Sequence, residues 1–404
     1  MDPLDIVGNL HNIKPVYQPI VSAIRHTVIG YEVLGRVYNG EEWVSLGAFF
    51  HDTDVPDEFK VDVDQHLLHI AITEMIEANK DGYLFINRNA QQLMVNDGED
   101  LLQTLIMFEQ KGFSMNRIVL EVTEHDFDEE FENLNHLLLY YKTYGIQVAV
   151  DQIGAKSSNI DRIRQLEPNI LKIDTGIIRN HNSDGFHDIM YSLSMLAQRI
   201  GAELLFENIE DNFQLHFAWK HGGRYYQGHY LAKPGFDLAV NDLLSVNVGQ
   251  RVAEYISREK SLVQQRMNHV LHWEQKVKDL LPQWEGTKKA DLFLESLISQ
   301  FDEESFRMFV CDSDGDQVSS NFRKHEDLWK AEPQKKGSNW AFRPYFLENT
   351  MQMKTWSRGI LSENYSDIET REMIRTFSFP LTNDHFLFID LCYSFIYENE
   401  SLLI

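Results

Sequence analysis

VAVDQIGAKSS, residues 148–158, is the stretch that decides the fold. A short apolar run delivers Asp151 at its end and a Gly-containing loop follows at once. That is how a buried parallel strand hands a carboxylate to the rim of an active site. Four other runs repeat the arrangement: LFIN ends at Asn87, VLEVTE carries Glu121 and Glu124, LKID carries Lys172 and Asp174, and LLFE ends at Glu207. One polar group per strand end, recurring along the chain, points to a ring of ligands.

Working outward, PVYQPIVS and HTVIGYEVLGRV read as two strands joined by a short turn, with Gln18 and Glu32 set among apolar neighbours. Over residues 61–77 the apolar positions Val63, Leu67, Ile70, Ala71 and Met75 recur at helical spacing, and the strand YLFIN follows. Helix then alternates with strand. LLQTLIMFEQKG precedes RIVLEVTE, FENLNHLLLYYKTYG precedes QVAVDQ, and IDRIRQLEP precedes ILKID; FHDIMYSLSMLAQRIG precedes AELLFEN, and NFQLHFAWKHGG precedes RYYQGHYL. Gly112, Gly145 and Gly201 close helices, where a left-handed residue is expected. Roughly seven or eight such units in about 240 residues is the size of a closed barrel. An open doubly wound sheet competes, but no Gly-rich phosphate fingerprint follows the first strand, and polar residues stand at nearly every strand end rather than at one switch point. The expected fold is therefore a TIM-like (β/α)8 barrel over residues 1–243.

Composition narrows the function classes. A formal net charge of −25 opposes association with nucleic acid polymers or anionic membranes, so a phosphate ligand needs a metal or a local cation. No apolar run is long enough to span a membrane, and the first residues lack a signal-peptide pattern, so a cytoplasmic protein is expected. Cys311 and Cys392 sit in apolar strand-like runs without metal-ligand spacing and read as buried free thiols.

YEVLGR at residues 31–36 resembles the E-x-L-x-R signature of EAL domains, the bacterial cyclic-di-GMP phosphodiesterases. The resemblance continues in order through FIN at Asn87, LEVTE at 120–124, VDQIG at 150–154, LKID at 171–174, FENIE at 206–210 and QGHYLAKP at 227–234. It implies that Glu32, Asn87, Glu121 and Asp151 are metal ligands. All four supply oxygen, which suits Mg²⁺ or Mn²⁺, with Ca²⁺ as a non-catalytic occupant. It further implies that Lys172 orients or activates the attacking water, that Glu207 is a second acid near it, and that Gln227 supports substrate or water. Arg36 and Gln18 resemble positions that hold phosphate and guanine; Leu34, Gly228 and Pro234 belong to the same substrate-binding motifs. Asp174, beside Lys172, would tune the lysine, and Glu124 resembles the anchor of the loop after the next strand. The chemistry is coherent, because a phosphodiester repels an anionic nucleophile until cations neutralise it and acidify water. His11, His125 and His229 lie near these motifs but have no paired spacing and read as bystanders.

One departure bears on activity. Active members of the family follow the aspartate of this strand with a second aspartate and a small-residue loop; here Gln152 follows Asp151, and Ala155 and Lys156 stand in the loop. A glutamine coordinates through its carbonyl oxygen but brings no charge, so a second metal is expected to bind far more weakly. Nucleotide binding is expected to survive better than hydrolysis to the linear dinucleotide. The competing classes are a non-catalytic cyclic-di-GMP receptor that signals to a partner protein, and a dimerisation scaffold.

Residues 244–285 read as a long connector helix. Val248, Val252, Ile256, Val263, Met267, Val270, Val277 and Leu281 form one stripe that either packs on the barrel or pairs with its copy in a homodimer. Residues 286–404 change texture to an α+β domain. ADLFLESLISQF reads as a helix, the turn at Asp314-Gly315 as a hairpin, and TWSRGILSENYS, TFSFPLT and HFLFIDLCYSFI as further strands. DSDGD fails as a calcium loop because Arg323 stands where a closing Glu belongs. The segment from Arg343 to Phe346, with SENYSD and SFP, resembles PAS-like or Cache-like sensors, which implies a small-ligand pocket.

Overall fold

The computed structural model describes residues 2–94, 98–123, 131–153, 160–176, 185–238, 242–326, 328–343 and 346–399. Glu124, His125, Gly154, Ala155, Lys156, Pro344 and Tyr345 lie outside the described residues, and for Gln152 only the backbone is described. The chain divides into two compact units, Met1–Tyr255 and Ile256–Ile404.

The first unit is a closed barrel. Its strands are β1 (Ile13–Ser22), β2 (Val28–Tyr38), β4 (Tyr83–Asn87), β5 (Ile118–Thr123), β6 (Gln147–Ile153), β7 (Ile170–Asp174), β8 (Glu203–Glu207) and β9 (Tyr225–Tyr226), with β3 (Trp43–Ser45) added outside on β2. They follow the order β1-β9-β8-β7-β6-β5-β4-β2, and pairing of β1 with β2 closes the ring. From β2 through β4 to β9 every neighbour is parallel, whereas β1 runs antiparallel to both β2 and β9. Strand β9 is shorter than RYYQGHYL promised, because the chain turns at Gly228 with φ +152°.

A period of two then fixes which side chains meet. Ile20, Phe85, Val119, Ala149, Ile170 and Leu205, one from each of six strands, form a single buried cluster, an arrangement available only in the barrel interior. Two residues further along the parallel strands, on the same inward face, stand Asn87, Glu121, Asp151, Lys172 and Glu207; two residues back on antiparallel β1 stands Gln18. The apolar layer is the floor of the polar one. Residues of the opposite parity, such as Leu84, Ile118, Leu120, Val148 and Leu171, pack outward in the cluster that includes the surrounding helices. Gly112, Gly145 and Gly201 have φ of +95°, +87° and +74°, as expected for left-handed helix ends.

The connector is the helix Asp242–Leu280 followed by a 3₁₀ turn Leu281–Gln283. Its stripe is not continuous. Val248 and Val252 pack in the core of the first unit, and Trp273 and Val277 in that of the second, while Ile256, Val263 and Met267 are 39%, 40% and 57% exposed. The division between compact units falls inside this helix, at 255, rather than at its beginning.

The second unit is α+β, as expected. Helix Ala290–Phe301 accompanies an antiparallel sheet of β10 (Ser305–Asp312), β11 (Asn321–His325), β12 (Leu328–Glu332), β13 (Ile360–Leu361), β16 (Thr376–Pro380) and β17 (His385–Leu391) in the order β12-β11-β10-β17-β16-β13, beside a small pair, β14 (Tyr365–Ser366) and β15 (Met373–Ile374). The DSDGD run is a turn: Asp312 Oδ1 accepts from the Asp314 and Asp316 N–H groups at 3.0 and 2.9 Å, with Gly315 at φ +90°. Two expectations change. The end of HFLFIDLCYSFI is the helix Tyr393–Glu398, so Cys392 caps a helix and is half-buried; Cys311 is buried in β10, and both thiols are free. Among the described residues no helix is long and apolar enough to cross a membrane.

Candidate functional site

At the carboxyl ends of the parallel strands, register brings the polar layer into contact. Asn87 stands opposite Glu121, Thr123 opposite Asp151, and Asp174 opposite Glu207. Lys172 is buried at the centre, its Nζ 2.8 Å from Glu121 Oε2, 3.2 Å from Glu207 Oε2 and 3.6 Å from Glu32 Oε2. Asn87 donates to Glu32 Oε1 at 2.7 Å, and Gln227 donates to Glu32 Oε2 and, at 3.1 Å, to Gln18 Oε1. Gln18 in turn reaches the Ala232 carbonyl at 3.5 Å.

The electrostatics are those of a cluster with too little positive charge. Burial pushes the Glu121 carboxyl well above the usual carboxylate range and the adjacent Glu32 charge adds to it, against the pull of Lys172. Burial likewise pushes Glu207 up to about 8, with the Asp151 and Glu32 charges adding to the effect and Lys172 opposing it. Burial works against the Glu32 charge too, yet Lys172 and the hydrogen bonds from Gln227 and Asn87 hold that carboxyl below its ordinary value. For Lys172, burial opposes the ammonium, but Glu121, Glu207, Glu32 and Asp151 outweigh it and keep the group firmly protonated.

Four carboxylates among the described residues thus face one ammonium. Among the described residues no group of three or more His, Cys, Asp or Glu side chains is drawn together as a ready-made cation cage, since these carboxylates gather around Lys172. Even so, Glu121 Oε1 is buried without a hydrogen-bond donor, and so is Gln227 Oε1. A buried carboxylate oxygen with no donor is costly, and a hard cation is the partner its chemistry fits.

A pH dependence follows. The folded chain holds a proton on Glu207 that the unfolded chain releases near the ordinary value of 4.5, so this group stabilises the fold fully below about 4.5 and ceases to as pH rises through about 8. In chelator, the thermal midpoint should fall across that window, and Glu207→Gln should flatten the fall. A slope unchanged by the substitution would contradict the assignment.

A cleft of about 330 Å³ opens beside this cluster, lined by Leu34, Arg36, Asn87, Glu121 and Asp151 among others. Arg36 donates to the Gly35 carbonyl at 3.0 Å and to Ser45 Oγ at 3.4 Å. Three expected residues stand apart from the Lys172 network. Asp174 accepts from the Gly176 N–H at 2.6 Å, so the lysine's carboxylate partners are Glu32, Glu121 and Glu207, not the strand neighbour two residues on. Pro234 is half-buried beside Gly235, whose backbone pairs with Tyr17. Gly228 acts through the backbone: a Cβ there would lie 2.2 Å from the Ile209 oxygen and 2.3 Å from its nitrogen. Several lining residues were not anticipated, among them a charged pair. Asp64 and Arg88 pair across the cleft wall at 3.3 Å, and burial pushes Asp64 up to about 6 despite Arg88. An arginine directly after the strand-end Asn87 was the available signal.

Comparison with known proteins agrees with this architecture. The EAL domain model matches residues 7–234, and the model of an EAL-domain associated signalling protein domain matches residues 239–403. The chain is 42% identical to the EAL-domain containing protein YkuI of Bacillus subtilis over the full length of both. The crystal structure of that protein, in complex with its substrate c-di-GMP and calcium, superposes with a TM-score of 0.92 over 98% of this chain and all of that one. The probable cyclic di-GMP phosphodiesterase PdeD of Escherichia coli is 24% identical over 55% of this chain and 42% of its own length. The FimX EAL domain of Pseudomonas aeruginosa, bound to c-di-GMP, shares the fold at a TM-score of 0.53 and 20% identity over 60% of this chain and 99% of its own. With an E-x-L-x-R strand, a barrel closed by antiparallel β1 and a carboxylate ring at its mouth, the chain belongs to the EAL-domain family.

Proposed function

We propose that the barrel binds cyclic-di-GMP together with a divalent cation at the carboxyl end of its strands and hydrolyses it slowly to the linear dinucleotide. The observation that carries this reading is the Glu121 carboxylate, buried with one oxygen on Lys172 and the other, among the described residues, without a donor, in a cluster where the described carboxylates outnumber the ammonium. Glu32, Asn87, Glu121 and Asp151 would hold Mg²⁺ or Mn²⁺, with Ca²⁺ as a non-catalytic occupant. When bound, the cation supplies neutralising charge at the phosphodiester and lowers the pKa of water.

The chain's own groups then have separate tasks. Arg36 and Gln18 hold phosphate and guanine beside Leu34, while Gln227 fixes the rotamer of Glu32 by its hydrogen bond. Lys172 keeps its proton and orients the attacking water. Glu207, with a carboxyl pushed up to about 8, exchanges a proton near neutral pH, as a general acid or base must. The C-terminal unit serves as a PAS-like or Cache-like sensor of a small ligand, the protein works as a homodimer, and its place is the cytoplasm with its nucleotide ligand. Gln152 favours a second reading, a receptor that binds cyclic-di-GMP without turnover, because the position contributes no charge.

Turnover of labelled cyclic-di-GMP under Mg²⁺ and Mn²⁺ separates the two. Slow formation of linear dinucleotide is expected from the wild-type chain. Gln152→Asp restores a carboxylate and should raise the rate about tenfold or more, since 1.4 kcal/mol of transition-state stabilisation suffices for that factor. Binding with no product from either protein would leave the receptor reading, and no binding would defeat both.

A further inference from the structure

Beyond the cleft, the β2–β3 ribbon carries a group of rings that the proposed chemistry does not use. Arg36 pairs across β1 with Lys14 and across β3 with Ser45, and Tyr38 pairs with Trp43. Strand alternation sends Val37 and Val44 to the other side, into the cluster of Ile13, Leu46 and Phe49. Lys14, Arg36, Tyr38 and Trp43 therefore share the opposite face, the one that on β1 and β2 also carries Gln18 and Glu32. Arg36 and Ser45 line the cleft, so this face continues it.

On that face the Trp43 ring lies 5.5 Å from Tyr38 and 5.2 Å from Phe236, and Lys14 Nζ stands 5.8 Å above it. Tyr38 is 37% and Phe236 45% exposed, and Lys14 is exposed. A cross-strand aromatic pair stabilises an edge ribbon, which accounts for Tyr38 and Trp43. It does not account for Phe236, which comes from the far end of the barrel sequence, or for Lys14 and Arg36 gathered there in a chain of net charge −25. Half-exposed rings flanked by cations take the flat face of a base and the adjacent phosphate, because stacking and charge act together.

We propose that Trp43, with Tyr38 and Phe236 beside it, is a stacking platform for one purine base of the bound nucleotide, whose phosphate lies against Arg36 and Lys14. The identity of that nucleotide rests on the cyclic-di-GMP reading; the platform itself does not.

The test uses the full chain and two probes, 5′-GMP and cyclic-di-GMP, read by tryptophan fluorescence and calorimetry, with ribose 5-phosphate as the control. Both nucleotides should quench the wild-type protein, the quench should disappear in Trp43→Phe, and ribose 5-phosphate should give none. Trp43→Ala should weaken cyclic-di-GMP about 10- to 100-fold. A quench of the same size in Trp43→Phe, or no quench by either nucleotide, overturns the platform. If cyclic-di-GMP binds wild type and Trp43→Ala equally, the platform fails while the cyclic-di-GMP reading stands. If 5′-GMP quenches Trp43 and cyclic-di-GMP does not bind, the platform stands and that reading fails.

Discussion

Lys172→Met is expected to destabilise the barrel by about 3–5 kcal/mol and to abolish the proposed turnover. The substitution preserves much of the side chain's length while removing the ammonium that contacts Glu32, Glu121 and Glu207. Those carboxyls stay buried, so the loss is that of a broken buried pair and not of a surface one. The effect has a signature that simple mispacking lacks. Because Glu207 escapes its charge by keeping a proton below about 8, the deficit should widen as pH rises past that value. Millimolar divalent cation should recover part of it, since a cation can stand where the ammonium stood. Urea unfolding of both proteins at acidic and alkaline pH measures this directly. Equal stability at all pH values would mean that the lysine does not hold the cluster together.

Gly228→Ala is expected to cost about 4 kcal/mol or more and to remove ligand binding with it. At φ +152° a side chain is strained in any surroundings, and here a Cβ would sit 2.2–2.3 Å from the Ile209 backbone. The obstacle is backbone, which cannot turn aside as a flexible side chain would. Ile209 N–H donates to the Gln227 carbonyl at 3.1 Å, and Tyr230 N–H to the Ile209 carbonyl at 2.9 Å. Pushing these segments apart withdraws Gln227 from Glu32 and Gln18. A variant with wild-type urea midpoint and wild-type affinity would show that the approach of the two segments is dispensable.

The barrel was legible because its strands are buried on both faces and each ends on a single polar residue. Apolar runs such as VLEV and LLFE leave little choice of register, and alternation alone carries Phe85 to Asn87 and Val119 to Glu121 on the inward face. What was not legible depends on contacts far apart in the chain. The seating of β1 against β9, from the opposite end of the barrel sequence, has no local signature. Trp43 lies in NGEEWVSLG, where only the three residues of β3 are strand, and its partner Tyr38 is fixed by the pairing of β3 with β2. Lys172 and Asp174 share a strand face, which made a pair of them plausible, but Asp174 accepts from the backbone N–H of Gly176. CYSFI is a short apolar run, and such a run fits helix and strand equally until its neighbours are known. The connector's stripe has helical spacing throughout, and spacing does not say which turns a domain will cover.

Calorimetric titration of the full chain with cyclic-di-GMP, once in Ca²⁺ and once in chelator, tests most directly whether oxygen ligands from separate strands serve one cation and one nucleotide. The predicted result is one equivalent per chain in Ca²⁺, weakened at least about tenfold by chelator and to a similar degree by Glu121→Gln. Affinity indifferent to both the cation and Glu121, or no binding under either condition, would contradict it.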